Sequence, residues 1–589
     1  MRFALLLSLC SILGAQTTVT LRPVPARDVK VQGEIGRRID ITIHNNLLAL
    51  DASKDFLASF ESHQKTTSYL GLGKLLLAAI RFADYTQDPR LIAFKSDLIR
   101  RTIATQQPDG YIGFFPPAAR ITELWDVHEL GYIIAALNED YARFDQQPSL
   151  QSARKAADYL IANWSKIPPD WGDKTGVATH VAVTGVERTF LALYQSTKDP
   201  RYLHFVTATR DLARWQLPII IGRRPGIEGH IYAFTARTLA QLELAPPVTT
   251  QSTREIDFLA KQEGMAVTGG AGQWEIWTAD QDGRGHLAET CATAYLLRLY
   301  EALLRQSDNP FYGDLIDRTV FNTLFAAQSP GGRRIRYYTP FEGPREYHPG
   351  DTYCCPGNYR RIIAELPEMI YYTGPRTIAV NLYTASTAKL PLASTTIGLT
   401  QQTAYPSDGR ITLQINPAQP AAFALKLRIP AWAQGATVQI NSEPSRPALP
   451  ATFHTIDRTW KPGDQVTLNL PMNIRLVRGR QQQSGRIAVL RGPQVYTLNP
   501  AQSPQLKNLD AADLTRFTLD PQSLTLVPDN TVRPNGTAIR AGAWKPGYST
   551  AAKHDLTLLL TEFTDPAAQA TYFKLRDLSI AVSDELTQR

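Results

Sequence analysis

The chain has 589 residues, of which 43% are hydrophobic and 20% are charged. This balance excludes a wholly disordered protein, and the length exceeds what one compact core usually holds, so two or three domains are expected. The formal net charge of +8 is scattered among acidic residues instead of forming a basic stripe. That distribution argues against nucleic-acid binding and makes a mildly acidic glycan the more natural partner.

The first 15 residues have the layout of a secretory signal. Arg2 precedes an apolar run over residues 4–13, and small residues follow at 14–15. We therefore expect residues 1–15 to be removed during export to the periplasm or the medium. Cys10 is a weaker candidate for lipidation because apolar residues continue past it. No later stretch is long and apolar enough to span a membrane.

Residues 16–375 predict a helical domain. Apolar side chains recur at helical spacing over 72–83 and 153–164, so each segment buries one face. Three similar turns separate helical stretches: Asp88-Pro89, Asp199-Pro200 and Asn309-Pro310. Proline ends the first helix and suits the first turn of the next, which predicts antiparallel helical hairpins. Such hairpins favour an (α/α)6 toroid, although an open helical solenoid has the same local pattern.

From about residue 377 the hydrophobic period changes to two. Apolar and polar residues alternate over 411–415 and 423–429, which is typical of antiparallel β-sandwiches. We expect one β-sandwich domain at 376–500 and a second β-sandwich region at 501–589, divided by a Pro- and Asp-rich interval. The predicted fold is therefore multidomain α plus β, with an N-terminal toroid followed by antiparallel β-sandwich domains.

Removal of the signal leaves three cysteines: Cys291, Cys354 and Cys355. An exported protein with an odd, tightly grouped set of cysteines does not follow a disulfide framework. Glu289 and Cys291 open one predicted helix, and the vicinal pair opens another, so the thiols lie at helix ends that favour thiolates. Three thiolates and one carboxylate form a ligand set suited to zinc. A vicinal disulfide, or three buried apolar cysteines, are the alternatives.

A Gly-rich loop at 268–272 precedes Glu275, which stands between Trp274 and Trp277. Apolar rings beside a carboxyl raise its pKa, so Glu275 is a candidate catalytic acid, although a solvated loop acid is the simpler interpretation. His128 and His230 each precede a predicted helix, where a polar side chain could point into the cavity of the toroid, although a structural role is the simpler interpretation of each. Tyr337 is an aromatic residue in a Gly- and Arg-rich hairpin, with no further signal of its own.

Together these segments resemble the bacterial β-L-arabinofuranosidases of glycoside hydrolase family 127 and the related family 146, from about Gly33 to the end of the chain. The motifs that carry the resemblance are Thr268-Gly269-Gly270 before Glu275, Glu289-Thr290-Cys291, and Cys354-Cys355-Pro356 with Asn358 and Arg361. The resemblance implies an α/α toroid with β-sandwich domains, which agrees with the periodicity.

The resemblance also implies an activity, namely zinc-dependent retaining hydrolysis of terminal furanosides in plant-type glycans, with β-L-arabinofuranosides as the first expectation. The implied zinc ligands are Glu289, Cys291, Cys354 and Cys355. Cys354 would attack the anomeric carbon while Glu275 protonates the leaving oxygen, and water would then release the thioglycosyl intermediate. The implied substrate-binding residues are His128, His230 and Tyr337.

Two positions depart from the family pattern. Val183 stands where relatives carry a histidine, with His180 nearby but out of register, and Gly357 stands where many relatives have proline or threonine. These departures concern the sugar pocket, so the same mechanism on another sugar of a plant or acidic glycan stays open. Two other classes also stay open: a non-catalytic glycan-binding protein with a structural zinc site, and another toroid enzyme such as a uronyl hydrolase or lyase. The sequence gives no prediction of the oligomeric state.

Overall fold

The computed structural model describes residues 21–587, apart from 247, 394, 504–505, 507–508, 510 and 548–552. The expected export signal and Cys10 lie outside the described residues. Within the described part, no helix combines the length and apolar character needed to cross a membrane.

Six pairs of helices build most of residues 33–365. In chain order they are α1 Gly33–Asn45, α2 Leu72–Thr86, α3 Pro89–Ala104, α4 Asp126–Phe144, α5 Gln147–Asn163, α6 Val186–Thr197, α7 Pro200–His204, α8 Ile231–Leu244, α9 Thr250–Ala260, α10 Thr290–Ser307, α11 Pro310–Thr319 and α12 Cys354–Glu365. Shorter helices lie in the connections, at Ala58–Ser62, Trp171–Thr175 and Thr179–Ala182.

The even-numbered helices form a closed inner ring. Each packs against the next even-numbered helix, and α12 packs against α2, which excludes an open solenoid. An outer helix follows each inner one from α2 to α10, while α1 packs outside α12. Because every inner helix returns through an outer partner, the inner helices run in the same direction, and their N-termini surround one mouth of the toroid.

The predicted Asp-Pro and Asn-Pro turns form as the sequence indicates. Asp88, Asp199 and Asn309 each accept a hydrogen bond from the backbone N–H two residues later, at 2.8, 3.1 and 3.0 Å, and the intervening proline opens the helix. Each cap pairs an N–H that the helix leaves without a partner. Proline at the first helical position has no N–H, so it adds no further unpaired donor. The predicted helical hairpins are confirmed.

Three sheets contain the strands of the described chain. In chain order the strands are β1 Arg22–Pro23, β2 Val29–Val31, β3 Tyr371–Gly374, β4 Thr377–Val380, β5 Ser386–Leu392, β6 Thr395–Thr403, β7 Arg410–Pro417, β8 Ala421–Ile429, β9 Thr437–Ile440, β10 Arg446–Pro447, β11 Thr452–Trp460, β12 Asp464–Asn469, β13 Ile474–Arg478, β14 Ile487–Arg491, β15 Gln494–Leu498, β16 Thr518–Leu519, β17 Thr525–Asp529, β18 Gly536–Trp544, β19 Leu556–Glu562 and β20 Tyr572–Leu575.

The first two sheets have the orders β1-β3-β4-β8-β11 and β10-β9-β12-β7-β6-β5-β2. Alternate side chains of β7 and β8 are buried and belong to one core that continues into the toroid. Strands β1 and β2 precede α1, so part of the expected helical region 16–375 contributes an edge strand to each sheet. The chain crosses from the β layers to the toroid and back.

The third sheet has the order β13-β14-β15-β19-β18-β16-β20, with β17 beside β18, and β20 at one end also pairs with β14, the second strand from the other end. The expected boundary at residue 500 lies inside this sheet, because strands on both sides of it share one core. The Pro- and Asp-rich interval, at about residues 499–534, contains β16 and β17 of this sheet, whereas the change of sheet occurs at 470–473, between β12 and β13. The overall fold class is as predicted.

A small apolar core joins the third sheet to the mouth of the toroid. It contains Ala266, Val267, Leu287, Ala288 and Phe341 from the toroid and Val477, Ala488, Leu490, Val495, Phe563 and Tyr572 from the sheet. The Thr571 hydroxyl donates to the carbonyl of Phe341 at 2.6 Å. The β region therefore supports the three loops that carry Glu275, Glu289 and Tyr337.

Candidate active site

Four predicted ligands meet at the mouth of the inner ring. One ligand atom from each of Glu289, Cys291, Cys354 and Cys355 lies within 4.8 Å of the others. The Cys355 Sγ is 3.2 Å from the Cys291 Sγ, 3.4 Å from a Glu289 carboxylate oxygen and 3.9 Å from the Cys354 Sγ. All three cysteines are free thiols, so the alternative of a vicinal disulfide is not observed.

Helix starts place these side chains, as the sequence indicates. Glu289 is the residue before α10 and has an extended backbone, with φ −56° and ψ 137°, so it can reach the same point as Cys291. The preceding Ala288 has φ 54°, and Tyr353, just before Cys354, has φ 88° and ψ 177°. Non-glycine residues in these regions cost about 1–3 kcal/mol each, and such strain clusters at functional sites.

Burial opposes ionisation at all four residues of the cluster. Burial raises the pKa of Glu289 to about 8, and burial also raises the pKa of Cys291 and Cys355. Burial opposes the ionisation of Cys354 as well, but hydrogen bonds from the neighbouring thiols and the charge of Lys74 hold its pKa well below the usual value. Burial thus disfavours the charged forms of Glu289, Cys291 and Cys355, whereas the surroundings of Cys354 favour its thiolate.

The donor chemistry fits a metal ion. Glu289 is 2% exposed, and its second carboxylate oxygen is buried without a hydrogen-bond partner. A divalent cation would compensate several adjacent negative charges that burial otherwise suppresses. The four residues could therefore hold one metal ion.

Glu275 lies beside the cluster, and tyrosines surround its carboxylate. The Tyr337 hydroxyl donates to Glu275 Oε1 at 2.7 Å and lies 3.4 Å from the Cys354 Sγ. The Tyr338 hydroxyl donates to the same oxygen at 3.2 Å. Of the two tryptophans near Glu275 in the sequence, Trp277 is fully buried against Phe234 and Phe258.

His230 faces the other oxygen of Glu275. Its Nδ1 accepts the N–H of Ala233 at 3.1 Å and thereby caps α8, so the ring proton resides on Nε2. That Nε2 lies 3.5 Å from Glu275 Oε2. The cap thus fixes the ring with its donor towards the carboxylate.

One cavity contains all the predicted catalytic and substrate-binding side chains. Its lining includes Cys354, Glu275, His128, His230 and Tyr337, together with Tyr69, Trp125, Val177, Val181, Ile227, Tyr232 and Tyr353. His128 is buried, its Nδ1 has no partner, and burial holds its pKa well below the usual value, so a neutral imidazole faces the cavity. The predicted residues therefore come together in space.

Sequence reasoning missed two features of this site. Lys74 is fully buried on α2, with its Nζ 5.3, 4.8 and 5.1 Å from the ring centres of Tyr69, Tyr132 and Tyr232. The sequence did contain a signal for it, since Lys74 is a lone lysine inside the apolar helical stretch 72–83. Tyr338 was also missed, although it directly follows the predicted Tyr337.

The two departures from the family pattern have structural consequences. Val183 belongs to the core and does not line the cavity, and the His180 Nε2 lies 3.2 Å from the Glu228 carbonyl, beside a separate cavity. A Cβ on Gly357 would lie 3.0 Å from the Cβ of Lys74. Glycine there leaves room for the lysine.

Comparison with known proteins gives one consistent result. Residues 35–368 match the family model described as Beta-L-arabinofuranosidase, GH127 catalytic domain, and residues 377–472 match the GH127 middle domain. The non-reducing end beta-L-arabinofuranosidase of Bifidobacterium longum is 25% identical over 507 residues, which cover 73% of this chain and 75% of that protein.

Solved structures share the fold over nearly the whole chain. A GH127 beta-arabinofuranosidase is 21% identical, with a TM-score of 0.77 over 96% of this chain and 99% of that one. A GH127 beta-L-arabinofuranosidase from Geobacillus stearothermophilus T6 is 20% identical, with a TM-score of 0.75 over 93% of this chain and 100% of that one.

Proposed function

The chain belongs to the GH127 family of glycoside hydrolases, and we propose that it removes terminal β-L-arabinofuranosyl residues from glycans with retention of configuration, through a cysteine nucleophile. One observation carries this proposal: a single hydroxyl, that of Tyr337, contacts both the Glu275 carboxylate and the Cys354 thiol. A retaining mechanism needs an acid and a nucleophile about 5 Å apart, and a shared hydrogen-bond partner is compatible with that spacing.

Cys354 is the proposed nucleophile. Among the three thiols it alone is half-buried and lines the cavity, and its pKa is held low while the pKa values of the other two are raised. A thiolate is the reactive form of cysteine. It would attack the anomeric carbon, forming a carbon–sulfur bond as the bond to the leaving oxygen breaks.

Glu275 is the proposed acid and base. In its protonated state it would give its proton to the leaving oxygen, and as a carboxylate it would then take a proton from the water that releases the sugar. The hydroxyl of Tyr337 can turn its proton towards Glu275 or towards Cys354. This rotation would let a protonated Glu275 and a Cys354 thiolate exist at the same time.

Glu289, Cys291, Cys354 and Cys355 are the proposed zinc ligands. Bound zinc would keep the cysteines ionised and compensate their charge. Cys291 and Cys355 are fully buried, so they would hold their positions while Cys354 faces the substrate. His128, His230 and Tyr337 would bind the sugar, since each offers a polar atom to the cavity.

Activity and metal content test the proposal together. Wild-type protein should contain about one zinc per chain and should hydrolyse 4-nitrophenyl β-L-arabinofuranoside. Cys354→Ser and Glu275→Gln should each abolish hydrolysis with an unchanged circular dichroism spectrum, and Cys291→Ser should lose zinc as well. Glu443→Gln, which alters a surface carboxylate of the β region, should match wild type.

Three outcomes would contradict parts of this proposal. Hydrolysis by zinc-free wild-type protein would exclude the metal-held thiolate, and activity in Cys354→Ser would exclude the nucleophile. The enzyme could instead cleave a different aryl glycoside in a Cys354-dependent way and leave the arabinofuranoside intact. That outcome would change the assigned sugar and keep the mechanism.

We also propose export to the periplasm or the medium of a bacterium, because residues 1–15 have the layout of a signal peptide. N-terminal sequencing of protein recovered from the periplasm or medium should begin at Gln16. Retention of the full-length chain in the cytoplasm would contradict this part of the proposal.

A further inference from the structure

A stack of three side chains stands outside the sugar cavity, next to Glu275. The ring of Trp274 lies 3.4 Å from the ring of His286 with an interplanar angle of 21°, and the Arg224 guanidinium lies 4.2 Å from the tryptophan ring centre. Trp274 is 38% exposed and does not line the cavity that contains Glu275. We call these three residues the Arg224 stack.

The loop backbone holds the stack in place. Trp274 and Glu275 both have left-handed backbones, with φ of 54° and 71°, and the Trp274 N–H donates to the His286 carbonyl at 2.9 Å. These neighbours therefore face different surroundings, with the carboxylate in the cavity and the indole at its solvent side. The guanidinium is attracted to the face of the indole.

This location is the leaving-group side of the proposed reaction. An acid that protonates the leaving oxygen must touch it, so the departing part of the substrate lies against Glu275. The furanosyl group would occupy the cavity with Cys354, and the remainder of the glycan would extend outwards past Trp274.

Arg224 is an uncompensated cation at this position. Its exposed guanidinium has no carboxylate within 4.0 Å among the described residues, whereas the adjacent Arg223 is 2.9 Å from Glu228, and Arg284 is 3.7 Å from Glu342. A guanidinium matches the planar, two-oxygen geometry of a carboxylate. The faces of Trp274 already contact other side chains, so the donors of Arg224 are the available recognition groups.

We propose that the Arg224 stack binds a carboxylate on the leaving group, and that the preferred substrate carries its terminal furanoside on a uronic acid residue. The proposal rests on the proposed function, because the role of Glu275 as the acid defines the leaving-group side. Its ligand chemistry comes from Arg224 alone.

Substrate pairs test the proposal directly. Hydrolysis of 4-carboxyphenyl and 4-carbamoylphenyl β-L-arabinofuranosides would be compared by the arabinose released, since the two leaving groups have similar shapes and differ in charge. Wild-type enzyme should favour the carboxylate by about 3- to 10-fold in kcat/KM, and salt should reduce this preference. Arg224→Gln should abolish most of the preference for the carboxyphenyl substrate, because the charge that recognises the carboxylate is gone. Arg224→Lys keeps a charge and should keep part of the preference.

The neighbouring arginine provides a matched control. Arg223→Gln removes the same charge one residue away, but from an existing ion pair, so it should keep the wild-type ratio. A wild-type ratio without preference for the carboxylate, or equal losses in the Arg223 and Arg224 variants, would overturn the proposal.

A binding measurement separates this inference from the proposed function. Saturation-transfer NMR should detect methyl α-D-galacturonoside, but not methyl α-D-galactoside, bound to wild-type protein, and Arg224→Gln should remove the signal. Uronate binding without any arabinofuranoside hydrolysis would contradict the proposed reaction and leave the carboxylate site standing. Hydrolysis of both aryl substrates with no uronate binding would contradict the carboxylate site and leave the proposed reaction standing.

Discussion

Replacement of Lys74 by methionine tests whether this buried cation serves the metal site or the fold. Lys74 is fully buried, its Nζ has no hydrogen-bond partner, and no carboxylate lies within ion-pair distance among the described residues. Three thiolates and one carboxylate around a divalent cation would leave a net charge of −2. The ammonium of Lys74, whose charge lowers the pKa of Cys354, would compensate part of it.

The expected magnitudes follow from the surroundings of the ammonium. Three aromatic rings at about 5 Å contribute roughly 0.5–2 kcal/mol each, which offsets most of the several kcal/mol that burial of an unpaired ammonium costs. Lys74→Met should therefore leave the metal-free protein within about 2 kcal/mol of wild type. Removal of a partner close to metal ligands lowers metal affinity about 10- to 100-fold, so the loss at the zinc site should be at least about 1.4 kcal/mol.

Competition with a chromogenic chelator measures the zinc affinity, and urea unfolding of chelated protein measures the stability of the metal-free form. Lys95→Met is the control. Lys95 is also buried, but it lies on the outer helix α3 and pairs with Asp140 at 2.5 Å instead of lying next to the metal ligands. That variant should lose about 3–5 kcal/mol of stability and keep the zinc affinity. Unchanged zinc affinity in Lys74→Met would refute the electrostatic role.

Two further substitutions have definite expected results. Tyr337→Phe should lower kcat about 10- to 100-fold in steady-state kinetics, because it removes the hydroxyl that positions Glu275 against Cys354. A loss of the same size in Tyr338→Phe, which leaves the contact between Tyr337 and Cys354 in place, would contradict this role. Burial raises the pKa of Glu255 to about 8 from 4.5, so its native carboxyl keeps a proton that the unfolded chain releases, and wild-type stability falls as pH rises between those values. Glu255→Gln should therefore gain stability relative to wild type by a few kcal/mol between pH 5 and 8.5 in urea unfolding, and an equal difference at both pH values would contradict the assignment.

Local signals in the sequence predicted local structure well. Asp88-Pro89 and its counterparts define helix starts because a cap and a proline act within three residues of each other. The closure of the ring could not be read in the same way. It depends on α12 packing against α2, and no short motif in either helix specifies a partner almost 300 residues away.

The β region illustrates the same limit. The interval after β15 has the Pro- and Asp-rich composition of a linker, and the sequence therefore predicted a domain boundary there. Strand pairing decides otherwise, since β14 and β20 join across 80 residues to close the third sheet. Composition describes how a segment behaves by itself, whereas the sheet to which a strand belongs depends on its distant partner.

The surroundings of Glu275 combine both cases. Sequence adjacency suggested Trp274 and Trp277 as the rings beside the carboxylate, but Tyr337 and Tyr338, more than 60 residues later, occupy that place. The left-handed backbone at Glu275 is the reason that adjacency fails, because it puts the carboxylate in the cavity and leaves the neighbouring indole outside. Trp274 is consequently available to hold Arg224 on the leaving-group side. The tryptophan that suggested Glu275 as the acid thus contributes to recognition of the leaving group.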